Sequence, residues 1–211
     1  MRRLIILLPL LAGLTQAQPK TAPEETTAAP PPPRGAELWW SDDFDDGDLD
    51  GWSVEGDLVW SISSQYRRGD SGWGVVYNWG YDQDTRLTSQ QLDLPGVSTD
   101  SLTLYWWWQG SYYWMVAPED NGDLYVEVQP VDDTAWYALW DEEDNVPFPF
   151  SDWTWYRQSV DLSDYAGQSI RLCFHAIGDD DADIGLDEVE IHYEDLTAVE
   201  DSSWGEIKTL E

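Results

Sequence analysis

The sequence has little of what would hold this chain together covalently or give it reactive side chains. It has one cysteine, two histidines and ten Lys and Arg residues among 211. The single Cys173 excludes an internal disulfide, which small secreted animal domains commonly use. We therefore interpret Cys173 as an inert thiol and expect a bacterial source.

Positive charge is scarce as well, since ten basic residues face 42 acidic ones and the formal net charge is −32. A surface of that sign repels nucleic acid and anionic membranes. We expect no nucleic-acid partner. Two explanations of the acidity remain open: loops that bind calcium, or a solvated surface suited to high salt.

Catalytic motifs are missing from the sequence. It contains no G-x-S-x-G, no H-E-x-x-H and no Walker loop, and both histidines, His175 and His192, lie in strand-like segments. Paired carboxylates are abundant, which keeps a glycoside hydrolase as a weaker alternative. Since abundance is not specificity, we predict that the protein is not an enzyme.

The N-terminus has the pattern of a secretory signal peptide. A basic Arg2–Arg3 pair precedes an apolar run, Leu4–Leu14, and Thr15–Ala17 is a small-x-small cleavage site. The apolar run is short for a membrane span. We predict export, cleavage after Ala17, and no membrane insertion after cleavage.

Three further segments follow the signal peptide. Residues 18–36 are rich in Pro, Thr and Ala, and the composition predicts a disordered, semi-rigid linker. Residues 37–193 form the predicted domain. In the tail, residues 194–211, Trp204, Ile207 and Leu210 share one helical face, which predicts a short helix or a sorting signal.

Short strand-like runs alternate with Gly, Asp and Asn turns throughout the domain. This spacing predicts an all-β, antiparallel sandwich of the jelly-roll kind. The predicted strands are Leu38–Phe44, Leu58–Ser63, Gly74–Asn78, Thr85–Leu92, Ser101–Gln109, Leu124–Pro130, Ala135–Trp140, Trp155–Leu162, Ile170–Ile177 and Gly185–Tyr193.

Two stretches resemble a known family. YAGQSIRLCFHAIGDDDADIGLDEVEI resembles the closing strands of MAM-type and "choice-of-anchor" jelly-roll domains, and SDDFDDGDLDGW resembles their opening strand. The resemblance covers about Glu37–Tyr193. It implies a jelly roll like that of carbohydrate-binding modules, with a structural calcium between the first and last strands. By resemblance, Asp45 (or Asp43) and Asp187 are its ligands.

Asp187 also draws attention by its position in the last strand. Strict alternation puts it on the same face as the core residues Val189 and Ile191. A carboxylate on a core face needs a cation or several hydrogen-bond donors. The acidic loop before this strand, Asp179–Asp183, we interpret as solvated.

A second candidate cation site precedes the second predicted strand. The run Asp46-Gly47-Asp48-Leu49-Asp50-Gly51, followed by Asp57, fits D-x-D-x-D-G with an acid at the twelfth position. Asp replaces the usual bidentate Glu at that position, and no flanking helices are predicted. An acidic turn in a very acidic protein is the alternative.

Aromatic residues are far more numerous than a core needs, with fifteen Trp and eleven Tyr. Alternation predicts that several of them lie on an outer sheet face beside polar residues, an arrangement that suits the C–H faces and hydroxyls of sugars. The predicted ligand-binding set is Tyr105, Trp107, Tyr125, Glu127, Arg171 and His175. Packing beneath a covering segment is the alternative, and loop aromatics such as Trp79 and Trp136 could instead form a site at the sandwich edge.

Together these patterns predict a secreted, non-catalytic binding module that is stabilised by calcium. Its expected partner is a polysaccharide or a cell-surface glycan. A structural or adhesion protein that binds other surface proteins is the alternative.

Overall fold

The computed structural model describes residues 31–33, 35–56, 60–70, 72–96, 102–145 and 151–194, and these form an antiparallel two-sheet sandwich. The predicted jelly-roll class is therefore confirmed. The predicted signal peptide lies outside the described residues, as do most of the linker and, apart from Glu194, the tail. The strands are β1 (Ala36–Asp42), β2 (Trp52–Glu55), β3 (Trp60–Ser63), β4 (Gly74–Tyr77), β5 (Gln83–Ser89), β6 (Leu92–Asp93), β7 (Leu102–Gln109), β8 (Gly122–Pro130), β9 (Tyr137–Asp141), β10 (Tyr156–Asp161), β11 (Ser169–Gly178) and β12 (Ile184–Glu194).

The strands divide between two sheets. Sheet A has the order β10-β7-β12-β4-β3, and β1 also pairs with β12. Sheet B has the order β2-β5-β11-β8-β9, and β6 pairs with β11. Strands β7 and β8, which are consecutive in the chain, therefore belong to different sheets. Two one-turn helices, α1 (Tyr112–Met115) and α2 (Glu142–Asn145), lie in connections.

The inner faces of the two sheets enclose the hydrophobic core. Alternate residues of β7 face it, and Trp106 and Trp108 are fully buried there. Both rings meet Trp140 of sheet B edge to face, at centroid distances of 5.3 and 5.4 Å. Part of the aromatic excess thus fills the core, where each such ring buries on the order of 150–250 Å².

All ten predicted strands have a counterpart in the structure, although their ends differ by a few residues. Strand β2 was missed, because its residues WSVE follow the acidic run that predicted a loop. Strand β6 was merged with β5 in the prediction, whereas two residues that are not in a strand separate them.

Candidate functional site

The six residues predicted to bind a ligand do not share one surface. Tyr105 and Trp107 lie on β7 and face outward from sheet A. Tyr125, Glu127, Arg171 and His175 lie on β8 and β11 and face outward from sheet B. A single six-residue surface is therefore wrong, because β7 and β8 follow one another in the chain but belong to opposite sheets.

On sheet A, the predicted platform rings are covered. Trp107 is 7% exposed and Tyr105 is 5% exposed. The guanidinium of Arg68, from the β3–β4 connection, lies 4.3 Å from the centroid of the Trp107 ring. Arg157 of β10 covers Tyr105 in the same way at 4.5 Å.

The two covering arginines are themselves paired with carboxylates of β12. Arg68 lies 2.9 Å from Glu188, and Arg157 lies 3.4 Å from Glu190. Each aromatic ring is thus buried under a cation that a carboxylate holds in place, an arrangement that favours stability. We refer to this outer face of sheet A as the covered face.

On sheet B, the outer face carries a polar network between three neighbouring strands. His175 lies 2.9 Å from Asp84 through Nε2 and 3.2 Å from Glu127 through Nδ1. Arg86 lies 3.6 Å from Glu127. Burial alone would raise the pKa of Glu127, but His175 and Arg86 keep it below its ordinary value. Cys173 is buried beside this network, and burial raises the pKa of its thiol to about 12, which agrees with the inert role predicted for it.

Next to this network, sheet B has an open cleft of about 670 Å³, which we call the Trp136 cleft. Trp136, from the β8–β9 connection, forms its aromatic wall. Trp52 of β2 also borders the cleft, but its ring packs on the core side of the strand, 5.8 Å from Phe44 and 6.0 Å from Phe174. The rest of the lining is mainly amides and hydroxyls, with Arg171 and Glu55 as its charged residues. The full lining is Gly51, Trp52, Ser53, Glu55, Thr88, Ser89, Gln90, Gln91, Gln129, Trp136 and Arg171.

Strand pairing explains how several of these side chains come to lie side by side on the outer face of sheet B. Strand pairing brings Ser53 opposite Thr88, and Arg171 opposite Gln129, on the outer face. The indole N–H of Trp52 donates to Asp42 at 2.7 Å, and its ring packs against the core. Of the residues predicted to bind a ligand, the cleft contains only Arg171. For the other residues that line the cleft, the sequence signal was the spacing of Ser, Thr and Gln on strand faces, a pattern that is common in exposed strands.

The predicted cation ligand Asp187 is buried, at 3% exposure, but it does not face the core. A β-bulge at Glu188, which has a positive φ of 46°, interrupts the alternation. Asp187 therefore points outward opposite Trp107, whereas Val189 and Ile191 point inward. The prediction that it lies on the core face was wrong, because alternation by two fails across a bulge.

Asp187 is instead enclosed by the β3–β4 connection. Its two carboxylate oxygens accept backbone N–H groups of Arg68 at 2.5 Å and of Glu188 at 2.8 Å. Burial is the main cause that raises the pKa of Asp187 to about 7; the nearby carboxylates Glu188 and Asp45 contribute to the rise, and the two hydrogen bonds oppose it. Two hydrogen bonds do not use all the acceptor capacity of a carboxylate.

Asp45 is near enough to Asp187 to help raise the pKa of that carboxylate. Its Oδ1 accepts the backbone N–H of Trp73 at 3.0 Å. A Cβ at Gly72, whose φ is +91°, would lie 1.7 Å from that oxygen, so only glycine leaves room for the carboxylate. Asp45 and Asp187 each present carboxylate oxygens, the ligand type that a hard cation prefers.

The D-x-D-x-D-G run forms a series of turns. The backbone N–H of Asp48 is accepted by Asp46, and that of Asp50 by Asp48. Asp46 and Asp50, with Asp42 and Asp43, line an open pocket of about 330 Å³. The carboxylates of Asp46, Asp48 and Asp50 do not gather within 4.8 Å of one another, and Asp57 lies outside the described residues.

The acidic loop Asp179–Asp183 is only partly solvated, which corrects the sequence-based interpretation. Asp181 is buried and accepts the hydroxyl of Tyr77 at 2.6 Å and the N–H of Gly80 at 3.2 Å. Burial raises the pKa of Asp181 to about 6. Asp180, in contrast, is exposed.

One acidic cluster was not predicted. Among the described residues, oxygens of Asp120, Asp123 and Glu143 lie within 4.8 Å of one another. They come from the loop before β8, from the start of β8 and from α2, three segments with no common sequence pattern. Beside them Glu142 is buried and accepts the N–H of Leu124 at 2.8 Å.

Solved structures with the same fold are carbohydrate-binding modules and adhesin domains. The module TmCBM61, in complex with β-1,4-galactotriose, matches with a TM-score of 0.53 at 13% identity, over 71% of this chain and 92% of its own. The K1 cleaved adhesin domain of Lys-gingipain from Porphyromonas gingivalis W83 matches with 0.53 at 22% identity, over 72% and 96%. The CBM22-1 xylan-binding domain of Xyn10C from Paenibacillus barcinonensis matches with 0.51 at 16% identity, over 80% and 97%.

At these identities the matches establish the fold. No family model matches the sequence, and neither does any curated protein. The resemblance to MAM-type and choice-of-anchor domains therefore holds at the level of the jelly-roll sandwich. Within the described part of the chain, none of the helices has the length and apolar character that crossing a membrane would require.

Proposed function

We propose that the protein is a secreted, non-catalytic glycan-binding module and that the Trp136 cleft is its binding site. The observation that carries the proposal is the lining of this cleft: the ring of Trp136 beside glutamine, serine and threonine side chains on an open sheet face. Tryptophan rings stack on the C–H faces of sugars, while amides and hydroxyls bond sugar hydroxyls. The carbohydrate-binding modules among the structural neighbours support the same function.

Trp136 is the residue to test first. The chain from residue 18 onward would be screened on an array of polysaccharides, with and without calcium. Its affinity for each bound polymer would then be compared with that of Trp136→Ala. We expect a loss of about tenfold or more, because an aromatic anchor commonly contributes that much to an interface.

Trp79→Ala is the matched control. Trp79 is 49% exposed and lies beside Gly80, whose carbonyl accepts the N–H of Asp180 just beyond the C-terminal end of β11. Arg171 lies seven residues before that end, roughly 23 Å away at the rise of a strand. If Trp79→Ala weakens binding and Trp136→Ala does not, the proposed site is wrong, and if no polysaccharide binds, the proposed function is wrong.

We further propose that a calcium ion, held by Asp45 and Asp187, stabilises the module. The proximity of these two acids and the burial of Asp187 support this, since a second negative charge beside a buried carboxylate is unfavourable without a cation. Its role would be structural: the ion would connect the β1–β2 connection to β12. Asp46, Asp48, Asp50 and Asp57 remain candidates for a second ion.

Adhesion to surface proteins is the second candidate function. The adhesin domain at 22% identity favours it, as do the exposed rings of Trp79 and Tyr81, whose centroids lie 5.9 Å apart. In that case Trp79→Ala, and not Trp136→Ala, would abolish attachment to a protein-coated surface.

A further inference from the structure

We propose that the Trp136 cleft selects acidic glycans, and that Arg171 binds the carboxylate of a uronic acid unit. This inference rests on the proposed function and specifies the chemical class of its ligand. Arg171 is the cation of the cleft, where the other lining residues are neutral except Glu55. A guanidinium binds a carboxylate through two parallel N–H donors, which gives both affinity and orientation.

The partners of the arginines provide the first step of the argument. The chain carries 42 acidic residues, so a basic side chain readily finds a carboxylate within the molecule. Arg68, Arg86 and Arg157 each do so, at distances of 2.9 to 3.6 Å. Arg67, outside the cleft, instead bonds the backbone carbonyl of Asp70. Among the described residues, Arg171 has a single neutral partner, the side-chain oxygen of Gln129 at 3.4 Å.

The remaining donors of Arg171 provide the second step. A guanidinium has five N–H donors, and the bond to Gln129 uses one of them. The side chain is half-buried and lines the cleft, so its position is restricted before any ligand arrives. An oriented cation without an internal counterion, beside tryptophan and amides, is suited to a sugar that carries a carboxylate.

Glu55 does not cancel this charge. Strand pairing aligns Glu55 with Arg86 and Arg86 with His175, and His175 lies four residues beyond Arg171 on β11. Four residues along a strand and two strand spacings across the sheet separate the two charges by roughly 16 Å. Glu55 is thus at the far end of the cleft, where it can accept hydroxyls of a neutral unit.

The test compares polymers that differ only in charge. Glucuronoxylan, polygalacturonate and alginate would each be paired with the same polymer after chemical reduction of its carboxylates to hydroxymethyl groups. A formal net charge of −32 repels polyanions at long range, so affinities for all six would be measured by calorimetry at one ionic strength high enough to screen that repulsion. We expect at least one acidic polymer to bind about tenfold more tightly than its reduced form, equivalent to about 1.4 kcal/mol.

The variants assign that selectivity to one side chain. Arg171→Gln keeps a neutral hydrogen-bond donor on a shorter side chain and should cost the acidic polymer about tenfold more affinity than it costs the reduced one. Arg67→Gln is the control: it removes the same charge, and Arg67 bonds the backbone carbonyl of Asp70 outside the cleft. An unchanged melting midpoint for both variants would show that folding is preserved.

Three results would overturn the inference. Equal or tighter binding of the reduced polymers would leave glycan binding intact and refute selectivity for acids. An equal loss in Arg67→Gln and Arg171→Gln would assign the effect to overall charge. Failure to bind any polymer of the panel or of the wider array would refute the proposed function together with this inference.

Discussion

The outer faces of the two sheets both carry aromatic and cationic residues, but in two different arrangements. On the covered face of sheet A, arginines lie over Trp107 and Tyr105 and are held by glutamates of β12. On sheet B, Trp136 and Arg171 line an open cleft, and within the described part of the chain Arg171 hydrogen-bonds a neutral amide, that of Gln129. Aromatic and cationic residues therefore stabilise the protein where they cover one another, and are free to bind where they do not.

The largest expected effect is that of Trp107→Ala on stability. The ring is almost fully buried between β7 and Arg68, so its removal leaves a cavity and an arginine without its aromatic partner. We expect a loss of about 3–5 kcal/mol in the free energy of unfolding. Chemical denaturation measures it, and Trp79→Ala, in an exposed ring, should change it by less than about 0.5 kcal/mol.

A stability near that of the unmodified protein in Trp107→Ala would contradict the division between the faces. It would mean that the ring is accessible, and Trp107 would then return as a candidate sugar platform.

Calcium removal should have the next largest effect. If Asp45 and Asp187 hold an ion, saturating calcium stabilises the folded state by about 2.7 kcal/mol at a hundredfold excess over Kd. Thermal melts with EDTA, with calcium and with sodium chloride at matched ionic strength measure it. Asp187→Asn should lose most of the calcium effect, while Asp180→Asn, in an exposed position, should keep it.

Stabilisation by sodium chloride as strong as that by calcium would contradict the cation site. It would favour the explanation that the acidic surface is adapted to high salt.

The pH dependence of stability should contain a smaller contribution from Asp181. Burial raises its pKa from 3.8 to about 6, so the folded state binds this proton more tightly than the unfolded chain. The stabilisation is therefore complete below about pH 4 and is lost as the pH rises through about 6. The shift sets an upper limit of about 3 kcal/mol, which solvent screening reduces. Asp181→Asn, whose amide can serve both Tyr77 and Gly80, should reduce the slope in this range. The remaining slope belongs to Asp187 and Glu142, whose pKa values are also raised by burial.

Asp180→Asn is again the control, because it removes the same formal charge from an exposed site of the same loop. If both variants change the slope equally between pH 4 and 6, general repulsion among the acids causes it, and Asp181 does not.

The sequence predicted the strands well because alternation by two is a local property. It did not predict the distribution of those strands between sheets, which placed Tyr105 and Tyr125 on opposite faces, because strand pairing is decided by contacts far apart in the chain. The sequence pattern did not predict that Asp187 faces outward, because the bulge lies at Glu188, a residue with no turn preference. Burial of Asp187 was nevertheless expected, and it arises from a covering loop.

The most direct test of the contrast between the two faces measures stability and glycan affinity on the same pair of variants, Trp107→Ala and Trp136→Ala. The account predicts that Trp136→Ala loses about tenfold or more in affinity with an unchanged melting midpoint. Trp107→Ala should melt well below the unmodified protein, yet bind within twofold of its affinity at temperatures where it is folded. The reverse pattern, lost affinity in folded Trp107→Ala and full affinity in Trp136→Ala, would contradict it.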